Sequence, residues 1–295
     1  MTSHVHLILP FFCALVYAVG ALLLKRAMEL GKSPRDVLGR CNLAMAVCFL
    51  PLSIWARMPP ASLSIWVWLS PLACSALFFL GQVGTFQALR GGDVSVATPI
   101  LGTKVVITAL LGAVFLPGGI GPHLWLGAFL CTSGVALVGL QIGHRSGKAV
   151  RAVGWGLFAA TVFSLTDVIV ARTAREMGFC LFGPVMMSGM AALSFFLVSW
   201  PPNKATENLP GTKWMLAGVA LIGIQAVGLY AMIALSGDPV GVNILYALRG
   251  LWSVLLVAWV GKWLGNQEAN LPRPVLFLRG LGAAFLFGAV WVVLG

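Results

Sequence analysis

Apolar runs recur along the chain at lengths near twenty residues, separated by short polar stretches. Ten can be marked: 8–24, 37–56, 65–89, 94–116, 123–142, 153–171, 179–200, 213–235, 239–261 and 275–294. About twenty apolar residues in helical form cross the roughly 30 Å hydrocarbon core of a bilayer. Backbone N–H and C=O groups in lipid must be satisfied within the segment, so each run predicts a helix. A transmembrane barrel needs period-two alternation, and FLCTSGVALVGL at 129–140 does not alternate. The linkers are too short to hold a soluble domain. The pattern predicts one all-α integral membrane domain of ten transmembrane helices.

Composition sharpens this reading. Only 9% of the 295 residues are charged, against about 25% in soluble domains. The net charge of +11 raises the question of nucleic acid. The bases are scattered between helices rather than gathered on a face, so no nucleic-acid partner is expected. Their distribution instead orients the protein. Linkers after the odd-numbered helices hold twelve Lys and Arg, and those on the opposite side hold three, Arg57, Arg172 and Arg175. By this count both termini face away from the cytoplasm. The first run lacks a basic leader and is followed at once by Lys25 and Arg26, which predicts a retained helix rather than a cleaved signal. The six cysteines lie in or beside apolar runs without metal-type spacing, as small packing residues do.

The chain also repeats itself. GGDVSVATPILGTK at 91–104 aligns with SGDPVGVNILYALR at 236–249, a displacement of 145 residues that sets Asp93 against Asp238 and Lys104 against Arg249. Lys25, Glu29 and Gly31 align with Arg172, Glu176 and Gly178, and WARMPP at 55–60 with WPP at 200–202. With five helices per copy, the second must enter from the opposite face. The expected organisation is an inverted pair, residues 1–148 and 149–295, with the midplane site of secondary transporters between them. Asp93 and Asp238 precede helices and read as N-terminal caps.

Two bases, Lys104 and Arg249, fall eleven residues into their runs. Between Pro239 and Gly261, Arg249 is the sole charged residue. A base at mid-bilayer costs about 2.5–3.5 kcal/mol on insertion scales, and from the centre it cannot readily snorkel to the interface. Both are therefore expected to face the bundle interior, either as satisfied structural cations or as the lining of a substrate cavity. Asp167 is the one acid well inside a run. It can neutralise one base, act as a functional carboxylate, or carry a coupling proton. Asn243, Tyr246, Arg249 and Ser253, spaced 3, 3 and 4, share a helix face, with Thr98, Lys104 and Thr108 on the corresponding face of the fourth run. Gln82, Gln87, Gln225, Tyr230, Ser164, Thr166, Tyr17 and Asn42 add polar groups from other runs. Such residues serve as interhelical hydrogen-bond partners or as ligand contacts. Trp252 and Trp259 read as packing or interface residues. Pro99 predicts a bend in the fourth run, where the ninth has Ile244. Glycines three or four apart in GQVGTFQALRGG and GLGAAFLFG predict close helix approach.

Ten helices, the inverted repeat and polar midplane positions in runs four and nine resemble the drug/metabolite transporter superfamily, in particular its EamA-like members. YAVGALLLKRAMELG at 17–31 is similar to that family's first helix, and WVGKWLGNQE at 259–268 resembles its Leu-Gly-Glu ending; VFLPGGIGP at 114–122 lacks that motif. The resemblance implies export or exchange of a small-molecule metabolite by alternating access without ATP, with a proton or counter-substrate as coupling partner. It also implies a bacterial inner-membrane location. Sugar-phosphate and nucleotide-sugar translocators of the superfamily place phosphate-binding bases at the positions that Lys104 and Arg249 match.

The expected function is a secondary transporter of a small anionic or zwitterionic metabolite. Arg249, Lys104, Tyr246, Asn243, Gln82, Asp167, Thr98 and Gln225 are the substrate-site candidates. The alternative is a proton-coupled exporter of amino acids or amphipathic drugs that uses Asp167. No cofactor or metal is expected. An enzyme would need clustered acid–base or metal-binding groups, whereas His4, His6, His123 and His144 lie at or outside segment edges and the acids are dispersed. Alkaline phosphatase fused after Gly295 should be active, and a fluorescent protein fused there should be dark. The reverse pattern would refute the charge-based orientation.

Overall fold

A computed structural model describes residues 5–60, 62–91, 100–139, 149–195, 210–260 and 273–295. The described chain is helical, with no strand among these residues. Its helices are α1 (Val5–Glu29), α2 (Pro34–Phe49), α3 (Ile65–Gly91), α4 (Lys104–Phe115), α5 (Pro122–Gly139), α6 (Ala149–Met177), α7 (Phe179–Ser194), α8 (Thr212–Ser236), α9 (Pro239–Tyr246), α10 (Arg249–Val260) and α11 (Arg273–Leu294). A 3-10 segment, Leu50–Trp55, prolongs α2. Seven helical stretches are long and apolar enough to cross a membrane, and Ile100–Phe115, Pro122–Val138 and Phe179–Ser194 are shorter apolar helices. Every apolar run of the sequence holds one of these ten stretches.

Helix ends overshoot the apolar runs where charge can be balanced locally. Helix α1 continues through Lys25 and Arg26 to Glu29, where Arg26 and Glu29 pair at 3.3 Å. In α2, Arg40 pairs with Asp36 at 2.9 Å. Asp238 caps α9 as expected, its Oδ1 accepting from the Gly241 N–H at 2.8 Å. Asp93 lies outside the described residues.

The distribution of side chains is that of a chain whose solvent is lipid. Large apolar groups face outward: Phe129, Val150, Phe287, Trp259 and Trp291 are exposed. Asn42, Thr108, Ser164, Thr166, Asp167 and Ser194 are almost completely buried. Polar groups in hydrocarbon need partners, and the bundle interior is where helices supply them. Asn42 of α2 exchanges amide hydrogen bonds with Gln82 of α3, at 2.6 and 2.7 Å, and donates to Ser194 of α7 at 2.7 Å. Ser75 of α3 bonds the Met186 carbonyl of α7, and Ser70 bonds Thr173 of α6.

Packing partners come in matched sets. Helix α3 lies along α6, and α1 lies along α8; α2 packs on α8, and α3 on α7. Helix α4 packs on α6, while α9 and α10 pack on α1. Helices α5 and α11 pair with each other, as do α2 and α7. Glycines set the closest approaches. A Cβ at Gly134 would lie 2.9 Å from the Gly282 carbonyl oxygen, and one at Gly282 would lie 2.7 Å from the Gly134 carbonyl oxygen. Helices α5 and α11 thus touch backbone to backbone. Gly20 of α1 and Gly218 of α8 form a similar though looser crossing. In α3, Gly81 and Gly84 accommodate Phe163 and Ala159 of α6.

This geometry separates two kinds of glycine. Gly282→Ala should destabilise the detergent-solubilised protein by about 1–3 kcal/mol through overpacking. A Cβ at Gly280 meets nothing within 4 Å, so Gly280→Ala should be neutral or stabilising by up to about 1 kcal/mol. Thermal unfolding of the two variants checks the difference; equal effects would refute the assigned crossing.

Candidate functional site

The fourth and ninth apolar runs are both interrupted, and each interruption falls immediately before a buried base. Helix resumes at Lys104 after a turn at Thr103, and at Arg249 after a turn at Ala247–Leu248. Both turns tighten to i→i−3 hydrogen bonding: Thr103 N–H donates to the Ile100 carbonyl, Leu248 N–H to Leu245 and Gly250 N–H to Ala247. The bend expected at Pro99 lies outside the described residues. The observed break is at Thr103, and the second involves no proline.

A tightened turn inside a bilayer leaves carbonyls that need partners. Side-chain hydroxyls provide them. Thr108 Oγ1 donates to the Lys104 carbonyl at 2.8 Å, and Ser253 Oγ donates to the Arg249 carbonyl at 2.8 Å. These residues are separated by the same 145 positions that separate the bases. Ser164 of α6 adds a second bond to the Lys104 carbonyl at 2.9 Å, and Thr132 of α5 reaches the Gly102 carbonyl at 3.3 Å.

Both bases line one cavity of about 160 Å³. Asn243, Tyr246, Ala247 and Gly250 line it beside Arg249, and Leu101, Gly102 and Val105 line it beside Lys104. Val135, Val138 and Leu286, from α5 and α11, complete an apolar wall. Its polar lining therefore comes from the two interrupted segments.

The two cations differ in their counter-charges. Lys104 Nζ lies 2.8 Å from Asp167 Oδ2, and the Asp167 side chain is 1% exposed. Asn243 Nδ2 donates to the same oxygen at 2.7 Å and to the Pro239 carbonyl at 2.7 Å. Both amide hydrogens of Asn243 are thereby used. Arg249 has no carboxylate partner among the described residues. Its guanidinium lies over the rings of Tyr246, at 4.5 Å, and Tyr17, at 5.0 Å. The two rings meet edge to face at 5.8 Å. Cation–π contact is worth about 0.5–2 kcal/mol and does not cancel charge. At the 147-residue displacement that aligns Lys25 with Arg172, the counterpart of Asp167 is Gly20. At that aligned position the sequence has a carboxylate in one segment and none in the other.

The other candidates fall elsewhere. Gln82 gives its amide to Asn42, away from the cavity lining. Gln225 is buried in α8; its Nε2 donates to the Ile222 carbonyl, and its Oε1 has no partner among the described residues. Thr98 lies outside the described residues. Tyr230 packs on Phe78, which packs on Phe163, and Lys104 sits 5.8 Å from the Phe163 ring centroid. Trp252 packs on Phe11. Sequence reasoning placed Tyr17 among the polar neighbours without seeing its role against Arg249. The heptad-like offset of Tyr17 from the basic end of α1 carries no signal for it, since that contact depends on how α1 meets α9 and α10. The cysteines are free, and no group of three or more His, Cys, Asp or Glu is placed to hold a metal among the described residues.

Comparison with known proteins fits this architecture. Residues 5–140 match the EamA-like transporter family. A relative from Pseudomonas savastanoi pv. phaseolicola, the probable 4-amino-4-deoxy-L-arabinose-phosphoundecaprenol flippase subunit ArnE, is 35% identical over 78 residues. That match spans 26% of this chain and 65% of the relative. A crystal structure of another protein superposes with a TM-score of 0.71 at 19% identity, over 98% of this chain and 97% of its own. At that identity the likeness shows a shared fold.

Removing one partner of a buried ion pair costs about 3–5 kcal/mol. Lys104→Met should therefore lower the melting temperature in detergent, and adding Asp167→Leu should recover most of the loss. An additive double variant would show that the two side chains do not interact.

Proposed function

We propose that this chain, an integral inner-membrane protein that belongs over residues 5–140 to the EamA-like transporter family, is a secondary transporter of a small anionic or zwitterionic organic metabolite. The observation that carries this reading is the uncompensated guanidinium of Arg249 in the wall of the cavity. An arginine presents a planar fork that matches carboxylate or phosphate bidentately. A buried cation without a counter-ion is costly, and an anionic substrate removes that cost when it binds. Lys104 and Asn243 lie across the same space and orient the rest of the molecule. The Pseudomonas savastanoi relative is named for a phosphoundecaprenol-linked aminosugar, whose phosphate is a group of the class Arg249 would hold.

Alternating access arises from two inverted five-helix copies, residues 1–148 and 149–295, moving about this site. Three features support that organisation: the matched packing partners, the paired interruptions before Lys104 and Arg249, and the paired hydroxyl bonds of Thr108 and Ser253. Interrupted helices at the meeting of inverted repeats are the usual setting of such sites.

A second reading has one specific support. Asp167 is buried and joins the Lys104 ammonium to Asn243, so a proton arriving there would release Lys104. In proton-coupled export, an imposed pH gradient across liposomes drives transport, and Asp167→Asn abolishes that dependence.

In liposomes, Arg249→Ala should reduce uptake of the anionic substrate at least about a hundredfold, the scale of losing a buried charged contact. Arg249→Lys should retain part of it, since charge survives and the fork does not. Lys104→Ala should also abolish uptake while the protein still reaches the membrane. Transport at the wild-type rate in Arg249→Ala and Lys104→Ala would remove the anion site.

A further inference from the structure

The cavity holds two cations, but only one of them is free to meet a substrate's charge. Lys104 is already bound at 2.8 Å by a carboxylate that does not itself line the cavity. Asp167 stands behind Lys104, on α6, and is held in place by the Asn243 amide. Among the described residues, the charge facing the cavity is therefore that of two bases less one acid, a net of one positive charge.

We infer that Asp167 is a specificity-determining residue: by cancelling Lys104, it sets the cavity to accept an organic monoanion and to refuse a dianion. This rests on the reading of Arg249 as the anion-binding group. A dianion entering the site as it stands brings one negative charge beyond what the wall neutralises. In a low-dielectric interior that surplus is strongly unfavourable. A monoanion leaves the site neutral. Asn243 takes part as a positioning residue, because one of its N–H groups donates to the Asp167 carboxylate and the other anchors the amide to the Pro239 carbonyl in the first turn of α9. Its remaining side-chain oxygen is an acceptor for a donor group on the substrate.

The test changes the charge count at this one place. Wild-type protein in liposomes is offered butyrate against succinate and benzoate against phthalate, as competing ligands in uptake and as stabilisers in thermal unfolding. The wild type should favour the monoanion of each pair. Asp167→Asn frees Lys104 and should move the ratio at least about tenfold toward the dianion, the scale expected of one added charge at short range. Lys104→Gln leaves a net charge of zero and, since uptake is lost without this base, should be read in thermal unfolding, where neither anion should stabilise it over the other. Lys104→Gln combined with Asp167→Asn restores the net of one and should return the monoanion preference, at a lower overall rate. An unchanged ratio in Asp167→Asn, or a double variant that fails to regain the preference while remaining folded, overturns the inference and leaves the Arg249 site standing. A wild type that recognises none of the four anions overturns the anion site itself.

Discussion

A bilayer interior offers no water to a charge, and the ion pair between Lys104 and Asp167 is how this protein meets that condition at the centre of its bundle. The pair is not isolated. Asn243 joins it from α9, Ser164 and Thr108 hold the Lys104 carbonyl, and Phe163 lies against the lysine. Helices α4, α6 and α9 are thereby fixed relative to one another through polar contacts that have no alternative partner in lipid. In a soluble protein a buried pair often adds little over an apolar substitute. Here it also specifies register, since only one rotation of each helix brings these groups together.

Much of this was legible beforehand, for reasons that can be named. Ten apolar runs follow from bilayer thickness, and the resemblance at 17–31 falls within residues 5–140, which match the family. Lys104, Arg249 and Asp167 stood out because a charge inside an apolar run is expensive. Asn243 and Tyr246 followed by helical spacing from Arg249 and do line the cavity. Other features were not legible. The tightened turns at Thr103 and Ala247–Leu248 contain no proline, and the carbonyls beside Thr103 are held by Ser164 and Thr132 on other helices, which only tertiary placement reveals. The sequence left open which base Asp167 would neutralise, because that depends on how α6 is rotated against α4. Gln82 has the same polar character as Asn243, and only tertiary placement assigns it to Asn42.

The aligned segments of the sequence share some local bonds and differ in chemistry. Thr108 and Ser253 make the same bond, and Lys104 and Arg249 line the same space. At the aligned first-helix position one copy has Asp167 and the other Gly20. Gly20 is committed to its crossing with Gly218, where a carboxylate has no room. Close packing at one aligned position and charge cancellation at the other thus accompany the asymmetry between the bases.

The crossing of α5 and α11 has a mechanical consequence. At Gly134 and Gly282 peptide groups face each other, with the Leu286 and Val138 side chains packed against the two glycines. Separating them forfeits a large number of short dispersion contacts. Turning one helix about the other drives Leu286 and Val138 against the facing backbone. A joint of this kind resists both separation and rotation, and bulky residues at the same two positions would hold the helices apart.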